Sequence, residues 1–92
     1  MPVTLKLPTV LAKAAGGETV HQARGATVGE VVTELAGRYP ELGSRLRDAK
    51  GEPYPYVIFY VDDEDIRFQQ GFDTPVADGA EILVVPAIAG GR

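Results

Sequence analysis

Apolar and polar residues alternate strictly over residues 3–7, which read Val-Thr-Leu-Lys-Leu. A period of two is typical of a strand with one buried face, so the three apolar side chains are expected to face the core. Residues 18–23 mix β-branched and polar side chains and predict a second strand, with Gly16 and Gly17 supplying a turn before it. The two strands are expected to form an amino-terminal hairpin with a long connection.

The spacing then becomes helical. An apolar stripe with a period of 3.6 residues comprises Val28, Val31, Val32, Leu35 and Tyr39. This period predicts a helix. Thr27 and Glu30 match a capping box, in which hydroxyl and carboxylate bind the free backbone N–H groups of the first turn. Pro40 ends the helix. Residues 41–47 are expected to add a short helical turn with two leucines inward.

Three further strands are predicted in the second half of the chain. Residues 56–61 are all apolar or aromatic, which suits a strand buried on both faces. A charged turn follows at residues 62–65, and residues 66–68 are expected to return as a short strand. Residues 82–85 form the last strand, again apolar at every position, and Pro86 ends it.

The order of elements indicates the fold. A hairpin, one substantial helix and three strands predict an α+β domain, because a single helix can cover only one face of a sheet. The expected architecture is the β-grasp, ubiquitin-like fold, in which a mixed sheet wraps around one main helix. We assign residues 1–86 to this domain and residues 87–92 to a flexible tail.

The uniformly apolar strands predict a docking surface. If one helix covers one face, either Ile58 and Tyr60 or Val57, Phe59 and Val61 must point away from it. Exposed apolar area of this kind marks a partner surface, unless loop 48–55 or loop 69–77 folds over it. The candidate docking surface comprises Ile58, Phe59, Tyr60, Asp62, Asp63, Glu64 and Asp65. The four acidic residues form either a solvated turn or a contact for a basic groove.

Composition excludes several functions. The chain has 92 residues, a formal net charge of −4, no cysteine and one histidine. The negative charge argues against nucleic acid or an anionic membrane as a partner. Without cysteine there is no thiolate nucleophile, disulfide or iron–sulfur cluster, and His21, expected on a strand surface, cannot form a His-rich metal site alone. With no membrane span or signal segment, the expected location is the cytoplasm.

The end of the chain is thin and uncharged. After Pro86, residues 87–91 contain only Ala, Ile and Gly, and when extended they reach roughly 17 Å. Two adjacent glycines permit close approaches that a side chain would forbid. Such an end suits a carboxylate that must thread into another protein's active site, although a frayed terminus has a similar composition.

Four features occur together along the chain: the hairpin–helix–strand order, the turn over residues 61–68, the turn at residues 77–79, and the segment 85–91, Val-Pro-Ala-Ile-Ala-Gly-Gly. Over nearly the whole chain they resemble the MoaD/ThiS family of ubiquitin-like sulfur carriers. Within that family, residues 7–11, Leu-Pro-Thr-Val-Leu, and residues 63–68, Asp-Glu-Asp-Ile-Arg-Phe, are most similar to the carriers of cysteine biosynthesis.

The resemblance implies that an E1-like enzyme uses ATP to adenylate the carboxylate of Gly91, and that sulfur then replaces AMP to leave a thiocarboxylate. Gly90, Ala89 and Ile88 would thread into the enzyme. It also implies two later partners: a PLP-dependent cysteine synthase that uses O-phosphoserine, and a JAMM-type zinc hydrolase that releases the carried cysteine. The carrier itself would bind no cofactor and supply no catalytic residue or metal ligand.

Arg92 departs from the family pattern, because it follows Gly91 and the diglycine is not terminal as written. Either a protease removes Arg92, as precursors of ubiquitin-like proteins are trimmed, or the residue is foreign to the chain. Three alternative functions stay open from the sequence: the small subunit of molybdopterin synthase, a ubiquitin-like modifier joined to lysines, and a noncatalytic β-grasp binding module.

Overall fold

The computed structural model describes residues 2–87. Their helices and strands are β1 (Val3–Lys6), α1 (Thr9–Ala12), β2 (Val20–Ala23), α2 (Val28–Arg38), α3 (Pro40–Leu46), β3 (Val57–Val61), β4 (Glu64–Asp65) and β5 (Glu81–Pro86). Short 3-10 helices occupy Lys13–Ala15, Ile66–Phe68 and Gly71–Asp73. The strands form one mixed sheet in the order β2-β1-β5-β3-β4, in which only β1 and β5 run parallel. The predicted α+β, β-grasp fold is confirmed.

Helix α2 begins with the predicted cap. The Thr27 hydroxyl accepts a hydrogen bond from the Glu30 N–H at 3.2 Å, and the Glu30 carboxylate accepts one from the Ala26 N–H at 2.8 Å. The carboxylate thus reaches one residue further back than in a standard capping box. The apolar stripe lies fully buried at Val28, Val31, Val32 and Leu35. Tyr39, the last member of the predicted stripe, is partly buried between α2 and α3.

The sheet presents one face to α2, called here the inner face, and the opposite or outer face is not packed against a helix. Successive side chains of a strand point to opposite faces, so burial identifies the inner set. Six of its members in the three central strands are buried: Val3, Leu5, Val57, Phe59, Ile82 and Val84. At the ends of the strands, Val61 is partly buried and Pro86 is exposed. This inner set and the stripe of α2 together form the hydrophobic core.

The connection between β1 and β2 is more structured than the predicted glycine turn. It contains α1 and the 3-10 helix at Lys13–Ala15, and it closes at Gly16, whose φ of 72° lies in the left-handed region. Leu11 and Ala15 are buried, so the segment covers one end of the core. A helix of four residues is too short to show a helical period in sequence, which explains why the pattern did not predict it.

The predicted strand at Ile66–Phe68 is wrong, because these residues form a 3-10 helix. Asp62 and Asp63 have φ values of 47° and 75°, so they make a two-residue turn that pairs Glu64 with Val61 at once. Strand β4 therefore uses the end of the acidic turn itself. The Asp65 carboxylate then accepts a hydrogen bond from the Arg67 N–H at 2.8 Å and turns the chain out of the sheet.

Replacing two glycines in the helices by alanine is expected to change the free energy of unfolding in opposite directions. A Cβ at Gly43 in α3 would lie 2.6 Å from the Ala36 Cβ of α2, whereas a Cβ at Gly37 would meet nothing within 4 Å. Gly43→Ala is expected to lower the free energy of unfolding by about 1–3 kcal/mol through overpacking. Gly37→Ala should raise it by about 0.5–1 kcal/mol through helix propensity. Urea unfolding measures both values, and a stabilising Gly43→Ala would contradict the close helix contact.

Candidate docking face and tail root

The register between β3 and β5 decides which apolar residues point outward. Phe59 pairs with Val84, and both lie on the inner face; Phe59 is 1% exposed. Its ring packs edge-to-face against Phe72 of the 69–77 loop, with centroids 5.3 Å apart. Phe59 therefore belongs to the core, and its prediction as part of a docking surface is wrong. Ile58 and Tyr60, also in the predicted docking surface, have the opposite orientation.

Four outward side chains form a continuous apolar surface, called here the outer apolar patch: Ile58, Tyr60, Leu83 and Val85. Tyr60 pairs with Leu83 and Ile58 pairs with Val85, so two cross-strand pairs lie next to each other. Leu83 is 39% exposed and the other three are half-buried. Leu83 and Val85 were not among the predicted docking residues, because the register that sets them beside Tyr60 and Ile58 depends on residues distant in sequence.

Polar groups border the patch on the β1 side. Lys6, which pairs with Leu83, forms an ion pair with Glu81 at 2.6 Å. Further along β1, the Gln22 side-chain amide donates to the Thr4 hydroxyl at 3.0 Å. An apolar centre with a polar rim is the usual anatomy of a protein–protein contact.

The two loops that were alternatives for covering this surface pack elsewhere. From loop 69–77, Phe72 and Val76 contact the buried core cluster, and from loop 48–55, Tyr54 contacts the same cluster. That cluster lies on the inner side of the sheet, where Phe59 meets Phe72. These contacts place both loops against the helix side and leave Leu83 accessible.

The acidic turn is tied to the sheet through its first residue. The Asp62 N–H donates to the Glu81 carbonyl at 2.9 Å, and the Glu81 N–H donates to the Asp62 carboxylate at 3.1 Å. The pair fixes the turn beside the first residue of β5. Asp62 therefore has a structural role, while Asp63 is exposed at the tip.

The last two acidic residues also have partners. The Arg67 guanidinium donates to both oxygens of Asp65 at 2.7–3.1 Å, and these hydrogen bonds lower the pKa of Asp65 and raise the pKa of Arg67. The Glu64 carboxylate accepts a hydrogen bond from the Gln69 amide at 2.8 Å. Because Asp65 pairs with Tyr60 across β3 and β4, this ion pair borders the outer apolar patch on its β4 side.

The tail leaves the domain at the other end of β5. Pro86 is part of β5 and pairs with Val57, so the ladder extends one residue beyond its predicted end. The Ala87 N–H donates to the Tyr56 carbonyl at 2.9 Å. The residues predicted to carry the chemistry, Ile88, Ala89, Gly90, Gly91 and Arg92, lie outside the described residues, and their roles stay predictions.

His21 is buried, which corrects the expectation of a strand-surface position. Its Nε2 donates to the Glu18 carbonyl at 2.7 Å, and its ring meets the ring of Tyr39 edge-on at a centroid distance of 5.4 Å. It lies on the inner face of β2, opposite Leu5. The hydrogen bond to Glu18 and the packing against Tyr39 account for the presence of a buried histidine at this position.

Two further properties concern the chain between residues 2 and 87. Within that range, no group of three or more His, Asp or Glu side chains is arranged to hold a metal ion. None of the helices in that range is long and apolar enough to cross a membrane.

Comparison with known proteins places the chain in a family. The ThiS family matches residues 5–91. The sulfur carrier protein CysO of Mycobacterium tuberculosis is 40% identical over 93 residues, which cover 99% of this chain and 100% of that protein. The crystal structure of that CysO superposes with a TM-score of 0.87 at 38% identity, covering 94% of this chain and 99% of the other.

Two further relatives bear on partners and alternatives. A chain in the crystal structure of the Amycolatopsis orientalis BexX/CysO complex matches with a TM-score of 0.88 and 37% identity, covering 97% of this chain and 99% of that one. Small archaeal modifier protein 3 of Haloferax volcanii is 35% identical over 66 residues, 72% of this chain and 71% of that protein. The match over nearly the full length, together with the β-grasp fold, shows that the chain belongs to the ThiS family.

Proposed function

We propose that this protein is a sulfur carrier of cysteine biosynthesis, with Gly91 as the residue that carries the sulfur. The observation that carries the proposal is the 40% identity to CysO over the whole of both chains. The family match also ends at Gly91, which supports Gly91 as the reactive residue.

The chemistry proceeds in two steps at the Gly91 carboxyl group. A carboxylate oxygen attacks the α-phosphorus of ATP, and pyrophosphate leaves to give an acyl adenylate. A sulfur nucleophile then attacks the acyl carbon and AMP leaves, so a thiocarboxylate is formed. An inert carboxylate is thereby converted into a nucleophile, and both steps are assigned to an E1-like enzyme rather than to the carrier. ATP is the substrate of that enzyme, and because the activation consumes ATP we place the carrier in the cytoplasm.

Two later partners complete the proposal. In a PLP-dependent cysteine synthase that uses O-phosphoserine, the thiocarboxylate sulfur replaces the phosphate group, which leaves, so the new cysteine stays joined to the Gly91 acyl carbon through that sulfur. A JAMM-type zinc hydrolase then cuts the carried cysteine from Gly91. Each of these enzymes must reach the same carboxyl group, so the carrier must present its tail to several active sites in turn.

The outer apolar patch is the surface on which we propose the activating enzyme docks. Leu83 is the most accessible member of the patch, and charged and polar groups border the patch on two sides. In the Amycolatopsis orientalis structure a chain of this fold is found in a complex with a second protein, BexX. That association supports a docking surface on the present chain as well.

The proposed function predicts a strict dependence on a free Gly91 carboxylate. A chain that ends at Gly91, incubated with an E1-like enzyme, ATP and a sulfide source, is expected to gain about 16 Da as oxygen is replaced by sulfur. Alkylation of the new thiocarboxylate distinguishes it from an oxidation of equal mass. The same chain with Arg92 attached should neither gain this mass nor support ATP–pyrophosphate exchange, because its glycine carboxyl group is an amide. Equal activity of the two chains would refute the assignment of Gly91.

A modifier function is the second candidate, and the similarity to small archaeal modifier protein 3 favours it specifically. In that case the activated Gly91 would be attacked by lysine amines of other proteins. Expression of the chain with an amino-terminal epitope would then yield a ladder of conjugates in denatured lysate. A sulfur carrier gives the free chain and its thiocarboxylate instead.

A further inference from the structure

The segment between β1 and β2 is longer than the pairing of its strands requires. Antiparallel neighbours can be joined by two residues, whereas here residues 7–19 intervene. Core burial accounts for Leu7, Leu11 and Ala15, which are all buried. It does not account for Val10, which is 63% exposed in the middle of α1. The Leu-Pro-Thr-Val-Leu motif therefore places one apolar side chain in solvent.

Val10 lies at the rim of a hollow of about 380 Å³, called here the tail-root hollow. Helix α3 contributes Ser44 and Arg45, the residue before β3 contributes Tyr56, and the end of β5 contributes Pro86. The Arg45 guanidinium is ion-paired with Glu41 at 3.6 Å. Tyr56 is 61% exposed, so two of the large exposed apolar side chains of residues 2–87 line this one hollow. The Tyr56 ring packs edge-to-face on Tyr54, with centroids 5.3 Å apart, which holds the wall in place.

The hollow lies where the tail begins. Pro86 is part of its wall, and the next residue, Ala87, donates its N–H to the carbonyl of Tyr56, another wall residue. Gly91 follows Ala87 by four residues, which span at most about 14 Å when fully extended. An enzyme that reacts with the Gly91 carboxyl group must therefore bring its own surface to within that distance of the hollow.

The chemistry at Gly91 also requires a closed entrance. An acyl adenylate is lost if water reaches it, so the channel that takes the tail must exclude water. An unfilled hollow beside the tail would leave a gap at the entrance of that channel. Apolar side chains seated in pockets are the usual anchors of protein–protein contacts.

We infer that the tail-root hollow receives an apolar side chain from the entrance of the activating enzyme's channel, and that Val10 of α1 forms the rim which this side chain contacts. The inference rests on the proposed function and adds a second contact site to the outer apolar patch. The two sites lie on different sides of the sheet: Pro86 has the inward orientation of Val84, and Leu83 points outward. The enzyme thus holds the carrier both on the outer face and at the point where the tail leaves it.

Two variants test the hollow in different ways, and they, the control and the parent chain are all made to end at Gly91. Val10→Asp places a charge on its rim, and Ser44→Trp fills it from α3 with a bulky ring. Both positions are exposed, so far-UV circular dichroism and the melting temperature should remain those of the parent. In ATP–pyrophosphate exchange with the E1-like enzyme of the same organism, each is expected to raise the KM for the carrier about tenfold or more, the effect of losing an interface anchor. The kcat at saturating carrier should stay within about twofold, because the tail itself is unchanged.

Ala49→Asp is the matched control, since it adds the same carboxylate at an exposed position of loop 48–55 that does not line the hollow. Its KM should equal that of the parent. A parental KM for both Val10→Asp and Ser44→Trp would overturn the inference, as would an equal rise in KM for Ala49→Asp. Failure of the parent chain that ends at Gly91 to be adenylated is a different result, because it would refute the proposed function and the inference with it.

Discussion

Leu83→Asp is expected to abolish docking on the activating enzyme while the carrier stays folded. Leu83 is the most accessible member of the outer apolar patch, and an aspartate there would place a charged, hydrated group in a contact that must lose its water. The free energy of unfolding, measured in urea, should change by no more than about 1 kcal/mol, which is the range that strand propensities span. Binding to the E1-like enzyme, measured by calorimetry, should weaken by at least about 100-fold, as for a central interface residue.

The adjacent residue of β5 provides the control. Val84 is fully buried on the inner face, so Val84→Asp would place a carboxylate in the core without a partner. This change should cost several kcal/mol, a large part of the total stability of a small domain. If Leu83→Asp unfolds the domain as Val84→Asp does, the outer face is covered and the docking proposal fails. If Leu83→Asp binds like the parent, the enzyme docks elsewhere.

Gly90→Val is expected to slow thiocarboxylate formation by about 100-fold or more. On the proposed function, the carboxyl group passes through a narrow channel of the activating enzyme, and a side chain branched at Cβ both widens the tail and stiffens its backbone. A displacement of about 1 Å at the reacting carbon is sufficient for a loss of this size. Gly90→Ala should give an intermediate rate, because it adds a single methyl group. The rate is followed by intact mass with the E1-like enzyme, ATP and sulfide.

The tail variants also differ from the surface variants in their kinetics. Residue 90 is four positions beyond β5, so neither variant should alter the melting temperature. The Gly90 variants should lose activity mainly through a lower kcat, whereas Leu83→Asp should weaken binding to the enzyme. Thiocarboxylation of Gly90→Val at the parental rate would show that the diglycine serves only as a flexible link.

Elements whose signal is local were predictable from the sequence. The strict alternation at residues 3–7 predicted β1 within one residue, and the 3.6-residue stripe with Thr27 at its start predicted α2. The order of these elements then sufficed for the β-grasp fold. In each case the side chains that carry the pattern are those that meet the core, so pattern and structure have the same cause.

Orientation and short elements could not be predicted in the same way. Strand β3 is apolar on both faces, and only its pairing of Phe59 with Val84 shows which residues turn inward. The return of the chain after Asp65 depends on a side-chain hydrogen bond to the Arg67 N–H. His21 looked exposed because a single polar residue in a strand gives no sign that Tyr39 packs over it. These features depend on neighbours that are distant in sequence.

The position of β5 determines how the domain responds to traction on its end. Strand β5 lies at the centre of the sheet, hydrogen-bonded to β1 on one side and to β3 on the other. A force applied to the end of β5 along its axis would load both ladders in shear, so many hydrogen bonds would have to break together. An edge strand such as β2 would instead peel away bond by bond. On the proposed function, an enzyme that draws the tail along this axis into its active site would leave the domain folded.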